Sequence, residues 1–196
     1  LLGGMAFSLG LILVIVGGAE LFTGNNLIVM AWASGRISML QIMRSWIIVY
    51  SGNLAGSLAT ALLMFFTGQY TFAKGQVGMT VLAIAQAKCT LPFIQALTLG
   101  IMCNVLVCLA VWLCFSARTT TDKILSIIFP ISAFVAAGFE HCVANMYLIP
   151  MGLLIRSGAG NSFWQETGVK AEMFPDLTAG HFLVNNLVPV TIGNLI

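Results

Sequence analysis

Long apolar runs separated by short polar links set the pattern of this chain. Residues 1–33 are apolar except at 17–26, where "GGAELFTGNN" gathers a glutamate, a threonine, two asparagines and three glycines. Residues 37–67 are continuously apolar, as are residues 91–117. Residues 124–155 are interrupted only by "GFEH" at 138–141, and a last apolar run occupies 181–196. A membrane span needs about 20 apolar residues. No region alternates polar and apolar with period two, which argues against a barrel. The pattern predicts an all-α membrane bundle.

The two interrupted regions share a motif. "GAELFTGN" begins at Gly18 and "GFEHCVAN" at Gly138, and both read G-x-E-x-x-x-x-N. A second pair, "GNL", follows in the same order at 52–54 and 193–195. Two motifs repeated in order predict an internal duplication, with 1–67 as one repeat and 91–196 as the other, inside one transmembrane domain over 1–196. The second repeat has a full span before its interruption and the first has none. The expectation is three plus three spans, with the first span and the end of the last lying outside this chain. An odd number of spans per repeat inverts one repeat relative to the other, an architecture in which broken helices meet near the bilayer midplane.

Composition sharpens this reading. Hydrophobic residues make up 59% of the chain and charged residues 7%, against roughly 25% charged in soluble domains. A net charge of +2 with no basic arm gives no reason to expect a nucleic-acid partner. The five cysteines have no metal-type spacing and read as small hydrophobes. The short links after 33 and 117 hold Arg36, Arg44, Arg118 and Lys123. The longer links 68–90 and 156–180 hold Lys74, Lys88, Arg156 and Lys170. Weighting short loops, the positive-inside rule puts the short links and the termini of the intact protein in the cytoplasm.

Backbone groups freed inside a span are tolerated only where protein or a water-filled path satisfies them. The breaks at 17–26 and 138–141 therefore mark where a path would run. Thr23 and Asn25 can satisfy freed groups, and helix N-termini opened there would suit an anion. Glu20 and Glu140 are two of six acids in the chain. Each is either a cap for broken backbone or part of the path. His141 is either a hydrogen-bonded core residue or a group that exchanges a proton near neutral pH. Its repeat counterpart is Leu21, so the two breaks differ chemically. Asn104, alone in an apolar helix, needs a partner, and Lys88 stands at the outer mouth of that helix. No metalloprotease, phosphate-loop, dinucleotide or nucleophile-elbow motif occurs. No enzyme activity, metal or cofactor is expected.

The stretches "GAELFTGN", "GNLAGS", "CNVLVCLAVW", "GFEHCVANMYLIPMG" and "NLVPVTIGN" resemble the formate/nitrite transporter family over the whole chain. The resemblance implies an aquaporin-like fold, a pore through each protomer and a pentamer in the bacterial inner membrane. It places the family's central histidine at His141, its hydrogen-bonding threonine at Thr23, its last-span asparagine at Asn194 and its vestibule lysine at Lys88. The apolar constrictions fall on Phe7, Leu11, Leu21, Val107 and Phe134, and Asn145 supports the second break. The implied function is a passive channel for small monovalent anions, chiefly formate. Nitrite or hydrosulfide is the alternative substrate. A membrane anchor for a redox enzyme is the remote one, because haem would need paired histidines and only His141 lies deep.

Overall fold

The computed structural model describes residues 2–196, and the described residues form helices and no strands. In order these are α1 (Leu2–Gly17), a 3-10 turn (Gly24–Ile28), α2 (Val29–Ala33), α3 (Met39–Phe66), α4 (Gln76–Cys89), α5 (Phe93–Ser116), α6 (Thr120–Ala136), α7 (Cys142–Gly158) and α8 (Asn161–Thr167). The last helix is composite. A turn at Ala179–His181 runs into a π-helical stretch, Phe182–Leu187, and then an α-helical one, Val188–Leu195. Helices α3 and α5 are each long and apolar enough to cross a membrane. At about 1.5 Å per residue they run to about 42 and 36 Å.

Local chemistry explains where the helices start. Ser38 opens α3 with a capping box. Its hydroxyl accepts from the Gln41 amide, and the Gln41 side chain accepts from the Ser38 N–H at 2.7 Å. Thr119 and Asp122 open α6 in the same way. Such reciprocal caps satisfy donors that the first turn leaves free. At the other end, α1 and α6 close with one shared device. Gly18 and Gly138 take φ of +73° and +69°, the left-handed region open to glycine. The next amides fold back, Ala19 N–H onto Val14 O at 3.0 Å and Phe139 N–H onto Phe134 O at 3.1 Å. Both broken helices thus end in the same Schellman-type turn.

Two apolar cores fill the bundle. One packs Leu82, Ala85, Met146, Ile149, Leu177 and Val190 between α4, α7 and the last helix. The other packs Leu11, Cys103, Val107, Ile127, Ile131 and Phe134 between α1, α5 and α6. The last helix lies so close to α5 that a Cβ on Gly193 would overlap the Leu97 carbonyl. Only glycine permits that approach.

One link departs from its sequence reading. Residues 68–90 contain α4, whose buried residues Gly78, Leu82, Ala85 and Cys89 recur at helical spacing. With 14 residues, of which only Gln76, Thr80, Gln86 and Lys88 are polar, the helix is largely apolar but too short to read as a span. The correction matters for function, because Lys88 sits in the last turn of α4 and not in a free loop.

Candidate functional site

The two breaks face each other across one hydrogen bond. Thr23 Oγ1 and His141 Nε2 are 3.0 Å apart, and both residues are buried. The tautomer follows from the other ring nitrogen. Nδ1 of His141 accepts the Ala144 N–H at 3.1 Å, capping α7. A backbone amide can only donate, so Nδ1 carries no proton and Nε2 does. His141 therefore donates to Thr23, and the Thr23 hydroxyl hydrogen is left to donate onward. A charged imidazole would set an N–H against the Ala144 N–H and give up this cap.

Two cavities meet at His141. The inner one, about 200 Å³, is lined by Phe7, Leu11, Leu21, Val107, Phe134 and His141. These include all five residues expected at apolar constrictions. The outer one, about 610 Å³, shares Phe7, Phe134 and His141 and adds Lys88, Gln95 and Glu140. Between them the rings of Phe7 and Phe134 pack edge to face, centroids 5.3 Å apart, and Phe134 stacks on the His141 ring at 6.0 Å. Edge-to-face packing is the favoured aromatic geometry. The two rings therefore pack together where the cavities adjoin.

Asn194 holds the second break from behind. Its Oδ1 accepts the Cys142 N–H at 2.8 Å, and its Nδ2 donates to the Glu140 carbonyl at 3.0 Å and to Gly100 O at 2.8 Å. Its backbone carbonyl accepts from Asn26. With its amide engaged this way, Asn194 binds backbone. Two of the first three amides of α7 are thus already taken by side chains, which differs from the expectation of open helix N-termini facing an anion.

The two glutamates have different surroundings. Glu140 is buried, and its Oε1 meets Lys88 Nζ at 2.6 Å. Its Oε2 accepts from Asn145 at 2.6 Å and from Asn186 at 3.1 Å. Glu20 is exposed and accepts from the Asn25 side chain. The pairs Glu20–Asn25 and Glu140–Asn145 occupy matching places in the repeated motif, so each carboxylate braces its own break. Asn104 is buried on α5, outside the lining of both cavities. Its Nδ2 lies 3.5 Å from Cys108 Sγ, and its Oδ1 makes no hydrogen bond among the described residues. Those residues hold no cluster of metal-ligating side chains.

The comparisons with known proteins match this geometry. The formate/nitrite transporter family model covers residues 1–196. The chain belongs to the formate/nitrite transporter family. It is 50% identical over 196 residues to the formate channel FocA of Escherichia coli and 48% identical to that of Haemophilus influenzae, covering all of this chain and 69% of each relative. A solved structure described as a pentameric formate channel with formate bound superposes with a TM-score of 0.94 at 51% identity, over 98% of this chain and 76% of that one. A second, an ion channel of the same family, gives 0.81 at 32% identity, over 98% of this chain and 70% of that one.

Within this family fold, sequence reasoning missed two asparagines. Asn53, on α3, accepts the Phe22 N–H at 2.9 Å and donates to the Glu20 carbonyl at 3.1 Å. The repeated "GNL" motif pointed to it, since it is the counterpart of Asn194. Asn186 lies in the π-helical stretch and is fully buried. It donates to the Lys88 carbonyl at 3.0 Å and to Glu140, and accepts from Asn145 at 2.7 Å. A π-helical stretch often marks a functional site. Pro189, lacking an N–H, helps to create this one, and "NNLVP" was the available signal.

Proposed function

We propose that this chain forms a passive transmembrane channel for small monovalent anions, chiefly formate, in a bacterial inner membrane. The observation that carries the reading is the neutral His141–Thr23 pair at the meeting of two cavities, beside the packed rings of Phe7 and Phe134. A bare anion leaving water loses several kcal/mol or more of hydration. Lys88, paired with Glu140, turns its remaining ammonium N–H donors to an anion in the outer cavity. The Thr23 hydroxyl, held and polarised by the His141 N–H, then replaces a lost water hydrogen bond, and Phe7 and Phe134 swing apart to admit the ion. If His141 first takes a proton from the outer cavity at Nδ1, releasing the Ala144 cap, it can pass its Nε2 proton through Thr23 to the anion, and the neutral acid would cross the apolar inner cavity at lower cost. The pathway needs binding at several weak sites and no strong one, as conduction requires.

The likeness to a pentameric channel supports a pentamer of such protomers, each with its own path. The distribution of Arg and Lys supports cytoplasmic ends for α2 and α5, with the outer cavity on the opposite side. The test is uptake of labelled formate into proteoliposomes at pH 5 and pH 7. Nitrite and hydrosulfide fluxes measured in the same preparation rank the substrates. No formate flux above that of empty liposomes at either pH sinks the proposal.

A further inference from the structure

The outer cavity is larger and more apolar than a three-atom ion requires. Its volume is about 610 Å³ against about 200 Å³ for the inner one. Leu91, Leu99, Phe139 and Leu148 line its wall, each partly exposed to it. Lys88 supplies the polar end. An ammonium has three donors, and the only side-chain bond of Lys88 among the described residues takes one, to Glu140. The Gln95 side chain also lines the cavity and makes no hydrogen bond among the described residues. A cation with spare donors beside an apolar wall complements an anion that carries an apolar tail. Volumes of this size suit drug-sized ligands. The rings of Phe7 and Phe134 pack together at its floor, where a tail of several carbons needs far more clearance than formate does.

We propose that the outer cavity binds monocarboxylates of about four to seven carbons, head on Lys88 and tail on Leu91, Leu99, Phe139 and Leu148, and that these acids plug the channel. This rests on the reading of that cavity as the anion's way in. The site would make the channel sensitive to the chain length of acids it does not carry.

The experiment uses the purified channel, by calorimetric titration and in proteoliposomes taking up labelled formate at pH 7.5. Butyrate, pentanoate, hexanoate and heptanoate are compared with hexylamine and hexanamide. A buried methylene contributes about 0.8 kcal/mol, or roughly a fourfold change in affinity. Inhibition by the acids should be competitive with external formate and strengthen about three- to fourfold per added carbon. Hexanamide should bind at least tenfold more weakly than hexanoate, and hexylamine should not bind. In Leu91→Ser, which places a hydroxyl against the tail, the chain-length slope should flatten. Intact formate flux with no titratable hexanoate binding overturns this proposal alone. So does inhibition that ignores chain length, or that hexylamine reproduces, since either marks a bilayer effect. Chain-length-dependent binding without formate flux would support the site and overturn the channel reading.

Discussion

Asn53 and Asn194 make the same two bonds, one in each repeat. Each accepts the amide two residues past a glutamate, Phe22 N–H in one case and Cys142 N–H in the other. Each donates to that glutamate's own carbonyl, Glu20 or Glu140. One side chain thus satisfies a donor and an acceptor that the broken helix cannot pair itself. In a membrane those groups have no water to turn to. The duplicated bracket fixes Thr23 and His141, one residue beyond Phe22 and one before Cys142, at hydrogen-bond distance.

Asn53→Ala should leave Phe22 N–H and Glu20 O unpaired, at a cost of about 1–3 kcal/mol. Asn53→Asp keeps the acceptor for Phe22 and should lose less. Thermal denaturation in detergent, with formate flux, checks the order. We expect Ala below Asp below the parent in both. Equal flux in all three means that α3 holds the first break by packing alone.

His141→Asn separates capping from ligand contact. Asparagine is a good N-cap and can still accept the Ala144 amide, so α7 and the oligomer should persist on size exclusion. Its shorter side chain cannot reach Thr23. Without the His141 donor the Thr23 hydroxyl is no longer held toward the ligand; a hydrogen bond to a charged ligand is worth about 1.5–3 kcal/mol, so formate flux should fall roughly 10- to 100-fold. Any pH dependence of formate flux that rests on His141 gaining a proton should be lost. Superimposable pH profiles would return His141 to a purely structural role.

Lys88→Ala should cost more in stability than a surface lysine. It strands the Glu140 carboxylate, which is buried against Asn145 and Asn186. Breaking one side of a buried pair typically costs about 3–5 kcal/mol. Adding Glu140→Gln should restore much of that stability while leaving apparent formate affinity low, because the cavity still lacks its cation. With Glu140 stranded, affinity in the single variant should rise with salt as its repulsion of the anion is screened. Full recovery of affinity in the double variant would show that Lys88 acts only as a tether.

The α6 cap gives a pH effect of defined sign. Hydrogen bonds from the Thr119 hydroxyl and backbone amide, then the Arg118 amide, hold the Asp122 carboxyl below its ordinary value. A lowered folded value stabilises the protein above the unfolded value, near 3.9, and the benefit is lost as pH falls through the folded one. Asp122→Asn should lower the thermal midpoint at pH 7 and narrow its gap from the parent by pH 3. An unchanged gap across that range would exclude a charge contribution.

The sequence by itself determined the solvent, the helices and their breaks. A 7% charge content leaves lipid as the surroundings, and the repeated G-x-E-x-x-x-x-N places glycine where a left-handed residue must end α1 and α6. It could do so because these are local demands, met within a few residues of chain. Distance along the chain hides the rest. Asn186 and Lys88 are 98 residues apart, and Lys88 and Glu140 are 52 apart, so no local pattern records that they share one carboxylate. Packing alone turned the vestibule lysine into half of an ion pair and Asn194 into a backbone brace. It also tied His141 to one tautomer, because only the fold puts the Ala144 amide on one ring nitrogen and Thr23 on the other.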